Sequence, residues 1–235
     1  MKDKILQRAK DDIPLYFEDF KEFWDESLDE ISDDDLYEIY RATLIFRNWK
    51  LTFHALELTS FDKIIDELYE DINSSMFLAL LGLYRSAHMH MRSSIELTMQ
   101  LIYFLHHPIE YQKWREGDFV IKHRDLSEYI ISHPNFDIDI RDFVSNITKN
   151  WKHLSKHIHG ESPVFFQCEK DARQTNSFSR RDFGIWKSNL LRNIYMLNKL
   201  LLLFFKKDIS RFPEQSRKVL LEPIDDEDKE LIFPE

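Results

Sequence analysis

The stretch from Met76 to His107 constrains the fold more than any other part of the chain. It contains no proline and a single glycine, Gly82. At 1.5 Å per residue this predicts one helix of about 48 Å, ended by Pro108. Its residues are apolar on nearly every side, which places such a helix at the centre of a domain with other helices packed about it. The chain as a whole agrees: 4 Gly and 7 Pro against 19 Phe, 9 Tyr and 5 Trp provide few tight turns and many large side chains, a balance that favours helices over a strand-rich barrel. The expected fold is therefore all-α, a multi-helix bundle around a long central hydrophobic helix at about 75–107. Acidic N-terminal helices (1–72) would pack on a helical core (73–210), followed by an acidic C-terminal tail (211–235).

Local signals divide the rest. Pro14 suits a first turn, and Leu15, Phe17, Phe20, Phe23, Trp24 and Leu28 recur near helical spacing. Ser32 followed by Asp33, Asp34 and Asp35 reads as a cap with acids at the positive end of the dipole, opening a helix carried by Leu36, Ile39, Tyr40, Leu44, Phe46, Leu51 and Leu58. Thr59-Ser60 and Asn73-Ser74-Ser75 offer further starts. Helices are expected at about 125–132 and 138–158, the second stopping at Gly160, and from 181 or 182 to about Lys207. The polar stretch 159–181 reads as an ordered loop holding Val164-Phe165-Phe166 and Cys168. Leu231, Ile232 and Phe233 are candidates to pin the tail.

Charge is distributed unevenly. The net charge is −10, which argues against unselective nucleic-acid binding. Residues 141–218, however, hold 16 Lys and Arg against 7 Asp and Glu, the balance of a basic patch. Either the acidic N-terminal part and the tail at Asp225-Asp226-Glu227-Asp228 cover this segment or stay solvated, or a basic surface stands open to RNA, DNA or an acidic partner. One cysteine and an N-terminus without an apolar core segment point to a reducing cytoplasmic setting. The longest apolar run, residues 200–205, is too short for a membrane span.

Two constellations carry candidate chemistry. Arg85, His88, Arg92 and Glu96 follow one another at helical spacing on an apolar helix, with Arg92 and Glu96 close enough to pair. Charges there must meet partners on a neighbouring helix or line a wet groove, so an internal ion pair and a functional groove are both open. The second constellation is Trp151 to Gly160, with Lys152, His153, Ser155, Lys156, His157 and His159. On a helical wheel Ile147, Trp151, Leu154 and Ile158 define the core side, His153 and His157 one flank, and Ser155 and His159 the other. The histidines either cap the helix end or, at His153 and His157, form half of a metal site. No H-E-x-x-H, cysteine cluster, P-loop, G-x-S-x-G or G-x-G-x-x-G occurs, so no metal or other cofactor is expected. Cys168 reads as a small buried hydrophobe rather than a nucleophile.

The central Tyr84-Arg85-Ser86-Ala87 and Arg92-Ser93-Ser94-Ile95-Glu96-Leu97, followed downstream by Leu154-Ser155-Lys156-His157-Ile158-His159-Gly160 and a last apolar helix, resemble the HEPN superfamily, in particular members of prokaryotic defence and abortive-infection systems. The resemblance covers roughly residues 60–207. It implies a metal-independent endoribonuclease that works as a dimer, with an Arg steadying the phosphorane and a His, four to six positions beyond, moving protons as a ribose 2′-OH attacks its phosphate. Arg92, Glu96, Lys152, Ser155, His157 and His159 would line the site, and RNA would be the partner. The sequence departs from that pattern because no Arg stands at the required distance before His157 or His159; Lys152 supplies charge there without a guanidinium fork. A formal match at Arg47 and His54, and another at Arg85 and His90, is what chance alone supplies in a chain of this Arg and His content. The alternative is a non-catalytic helical subunit docking a nuclease, ATPase or toxin, as homodimer or hetero-oligomer.

Overall fold

The computed structural model describes residues 2–159 and 178–233. Among them are ten α-helices and two 3-10 turns, with no strand: α1 (Lys2–Glu30), α2 (Asp33–Ala55), α3 (Asp62–Leu80), α4 (Tyr84–Phe104), α5 (Pro108–Glu116), α6 (His123–Ile131), α7 (Arg141–His159), α8 (Arg180–Phe204), α9 (Glu214–Leu221) and α10 (Asp226–Ile232). The chain is an all-α multi-helix bundle. Val164-Phe165-Phe166, Cys168 and Gly160 lie outside the described residues.

The central element differs from the expected single rod. It is a hairpin of α3 and α4 broken at Leu81-Gly82-Leu83, where Gly82 takes φ +70°. Leu83 N–H bonds the Leu78 carbonyl at 2.8 Å and Gly82 N–H the Ala79 carbonyl at 3.0 Å, the paired bonds of a Schellman stop that a residue lacking Cβ completes without strain. One glycine flanked by leucines thus folds a 48 Å rod back on itself. Asn73, Ser74 and Ser75 consequently sit inside α3 rather than capping a new helix, and α3 runs without interruption through residues 72 and 73. Ser75 ties the hairpin together: its hydroxyl donates to the Ala87 carbonyl at 2.9 Å and accepts from Trp186 Nε1 at 3.0 Å.

Other boundaries follow their local signals. Ser32 caps α2 by accepting from the Asp35 N–H at 3.1 Å, Ser179 caps α8 in the same way from Asp182, and Gly117 closes α5 at φ +84°. Pro108 opens α5 at its first turn, the position where its missing N–H costs nothing. Pro14 lies within α1 instead of at its start; it and Lys10, whose carbonyl it deprives of the usual helical donor, are both exposed, where the lost bond costs least. Lys206 and Lys207 fall in a 3-10 turn beyond α8.

The core is one cluster running through α2, α3, α4, α7 and α8. At one end Trp49 packs against Phe53, Phe205 and Phe212 and donates from Nε1 to Asn198 at 2.9 Å. The C-terminal residues are anchored to this body through buried Leu220, Ile224 and Ile232, while Leu231 and Phe233 remain exposed. Part of the acidic charge does cover the basic segment: Asp35 meets Lys187 and Arg180, Glu38 meets Lys187, and Asp228 meets Lys199. No described helix is long and apolar enough to cross a membrane.

Candidate functional site

Helices α4 and α7 pack along a polar seam, and the structure brings most of the two constellations to it. Arg92 Nε donates to Ser155 Oγ at 2.9 Å, across 63 residues of sequence. The other guanidinium nitrogens grip Glu96, NH1 to Oε2 at 3.2 Å and NH2 to Oε1 at 3.0 Å, a two-pronged pair that a lysine could not make. The guanidinium carbon lies 4.8 Å from the centre of the Trp151 ring, and Trp151 Nε1 donates to Glu96 Oε1 at 3.0 Å. Ser155 Oγ in turn donates a hydrogen bond to the Trp151 carbonyl at 2.8 Å. Arg92, Glu96, Trp151 and Ser155 therefore form a closed network in which each polar atom has an assigned partner.

His123, the first residue of α6, extends this network by stacking on Trp151 with ring centres 4.3 Å apart. Its Nε2 contacts Thr148 Oγ1 at 3.3 Å, and its Nδ1 is buried without a hydrogen-bond partner among the described residues. Burial, reinforced by Arg92 and Lys152, pushes its pKa down to about 4.

A second polar cluster occupies the other flank of the seam. His88, 2% exposed, stacks face to face on His157 with ring centres 4.1 Å apart. Its Nδ1 donates to the Tyr84 carbonyl at 2.6 Å and its Nε2 accepts from Asn189 of α8 at 3.2 Å, which assigns it a single neutral tautomer. Burial first, then His157, drives the His88 pKa down to about 3. Burial, His153 and Arg85 drive that of His157 down to about 4. The expected dipole-stabilised, protonated histidine cap is thus replaced by neutral imidazoles. The capping is done by Arg85, whose Nε and NH2 donate to the His157 and Ile158 carbonyls at 2.7 and 2.9 Å, satisfying the end of α7 with a fixed cation.

Because Ser155 and His157 are two positions apart on a helix, they point about 200° away from each other. The six candidate residues accordingly do not share one groove. Arg92, Glu96 and Ser155 lie together on the flank facing α6; His157 lies on the flank facing α8; Lys152 and His159 are exposed on the outside of α7. Ile158 and Trp151, expected on the core side, are only half-buried, and the buried stripe of α7 instead runs through Val144, Ile147, Asn150, Leu154 and Ser155. Among the described residues no group of three or more His, Cys, Asp or Glu is placed to hold a metal ion.

Sequence reasoning passed over the asparagines that organise the α8 side. Asn193 donates to the Met91 carbonyl at 3.1 Å and to Ser94 Oγ at 2.8 Å, and accepts from Asn150 at 3.1 Å. The signal was present: Asn189 and Asn193 recur at i, i+4 on an otherwise apolar helix, where amides survive only if bonded. His123 carried no such signal, since its role depends on α6 meeting Trp151. Compared with protein-family models, with curated proteins and with solved structures, the chain finds no match in any of the three.

Proposed function

We propose that this chain is an RNA-binding helical protein of the HEPN type, acting in a prokaryotic defence or toxin system, and that RNA runs along the outer face of α7. The observation that carries this reading is the charge of that face. Lys149, Lys152 and Lys156 recur at near-helical spacing on the exposed side with His159 beside them, and no carboxylate occurs between Phe143 and His159. Lys149 and Lys152 have no ion pair among the described residues, whereas the lysines of α8 at 187 and 199 are matched by Asp35, Glu38 and Asp228. Two lysines without an ion pair among the described residues, on a helix stretch that holds no carboxylate in a chain of net charge −10, are a phosphate-tracking feature. Cleavage by the route the resemblance implies would fall to His159, exposed and close to the lysines, with Lys152 supplying positive charge to the phosphorane.

The test is fluorescence anisotropy with a labelled single-stranded RNA in the presence of EDTA. The expected result is binding that weakens linearly on a log–log salt plot and is lost when Lys149, Lys152 and Lys156 are all changed to Glu. Absence of salt-dependent binding, or binding unchanged in the triple variant, overturns the proposal. Gel analysis of the same RNA, with His159→Ala as control, separates cutting from holding.

A specific observation favours the second reading, a non-catalytic subunit that docks a partner effector. Arg92 is fully engaged by Glu96 and Ser155, and His157 is held neutral at physiological pH, so neither is poised to steady a phosphorane or donate a proton. RNA left intact by a protein that co-purifies with an effector supports this reading; cleavage lost in His159→Ala rejects it.

A further inference from the structure

Helices α6 and α7 are joined through a tight turn at His133-Pro134-Asn135-Phe136. Pro134 has a fixed φ suited to the second position of a β-turn, and the Phe136 N–H closes that turn on the His133 carbonyl at 3.1 Å. The unusual member is His133. Its Nδ1 accepts from the Asn135 N–H at 3.1 Å, the bond that an asparagine or aspartate makes to the backbone two residues on. Because Nδ1 accepts, the neutral ring carries its proton on Nε2, which donates to Nδ1 of His106, just beyond α4, at 3.3 Å. The turn also covers the end of α8. Asn135 Nδ2 donates to the carbonyl of Phe204, the last residue of that helix, at 3.4 Å. The His133 and Phe136 rings lie 5.0 and 5.8 Å from the Phe204 ring, which is 4% exposed. One imidazole thus ties together the ends of α4, α6 and α8.

We infer that this turn is a proton-operated latch: when His133 takes up a proton, Asn135 is released and Phe204 is uncovered. A neutral imidazole accepts at one nitrogen and donates at the other, whereas an imidazolium only donates. Adding a proton to His133 therefore sets two N–H groups against each other at Asn135. His133 is 6% exposed and reaches water only if the turn moves. His106 is exposed, so a proton there costs only the bond between the rings, because that ring can turn to solvent. The surrounding groups do not offset a charge on His133. His106 and His107 face it from the residues following α4, and Tyr129 of α6 packs its ring against it with centres 5.2 Å apart. Asp137 is bonded to Lys206 and Asp208 to Arg211, and among the described residues no carboxylate pairs with His133 or His106. Burial first, then His106 and His107, hold the His133 pKa below the ordinary histidine value of 6.5, so the latch is closed at neutral pH and opens on the acid side. An amide side chain in its place would make the same backbone bond at every pH; the imidazole makes it conditional.

Amide hydrogen exchange followed by NMR on the full chain tests the inference, which does not depend on the RNA reading. Opening coupled to the uptake of one proton makes the protection factor of the Asn135 amide fall about tenfold per pH unit below about pH 6.5. His133→Asn keeps the protection and removes the fall, because the substituted amide oxygen occupies the place of Nδ1. His88→Gln leaves the fall in place, which separates the latch from the pH dependence that His88 gives the whole fold. Wild-type protection at Asn135 that does not vary with pH, a fall retained in His133→Asn, or one abolished by His88→Gln overturns the inference.

Discussion

The Arg92–Glu96 pair and the His88–His157 stack lie on the two flanks of the same α4/α7 seam, yet they handle polarity in opposite ways. On the flank facing α6, Arg92 and Glu96 keep their charges, with side chains 24% and 31% exposed. On the flank facing α8, His88 and His157 are stacked and neutral. The difference follows from solvent. A guanidinium cannot shed its proton, so it needs a carboxylate, the face of a tryptophan and some remaining contact with water. An imidazole can discard its charge, and in a drier place it does so; for His88 this converts a desolvation penalty into two ordinary hydrogen bonds. Ionic networks and neutral stacks are alternative solutions to one packing problem, chosen by the depth at which each residue sits.

The sharpest break of this contrast is Arg92→Ala. It removes the Glu96 pair, the bond to Ser155 and the Trp151 contact together, leaving a half-buried carboxylate with only Trp151 Nε1. A loss of about 2–3 kcal/mol is expected in urea unfolding. The double variant with Glu96→Ala should recover much of that loss, and failure to recover would mean that Arg92 acts mainly through packing.

On the imidazole flank the expected effect depends on pH. The folded pKa of His88 lies below its unfolded value, so the folded state binds fewer protons. Its contribution is fully present above about pH 6.5 and is lost as pH falls toward about 3. The loss reaches about 2 kcal/mol for His88 at pH 5, read as a fall in Tm between pH 7 and pH 5 that His88→Gln reduces. Equal pH slopes in wild type and His88→Gln would erase the distinction between the flanks.

Smaller effects sharpen the picture. Arg85→Ala should cost about 1–2 kcal/mol by stripping two carbonyl bonds from the end of α7, and faster hydrogen exchange confined to the last turn of that helix would locate the loss. Lys152→Ala should leave stability within about 0.5 kcal/mol of wild type while weakening RNA binding, since Lys152 is exposed on the outside of α7.

Much of the fold was legible because its signals are short-ranged. Ser32 acts as a cap, Pro108 as a boundary, and the i, i+4 placement of Arg92 and Glu96 foretold their pairing. Gly82 was equally readable: leucines at 78 and 83 around a lone glycine are the hydrophobic contact of a Schellman stop, and weighing the glycine only as a poor helix former missed it. Other features had no local signature. That Arg85 rather than a histidine closes α7 depends on two segments more than 70 residues apart. The buried face of α2 could not be chosen by periodicity, because apolar residues occupy both faces.

The sequence alone determined that this chain is helical, where most helices start and stop, and which residues carry charge into apolar surroundings, because those properties are set within a turn or two of each residue. The tertiary structure decided which face of α2 meets the core, which histidines lose their protons, and that Ser155 and His157 work on opposite sides of α7. Burial and long-range pairing fix those outcomes, and both exist only once distant helices have packed.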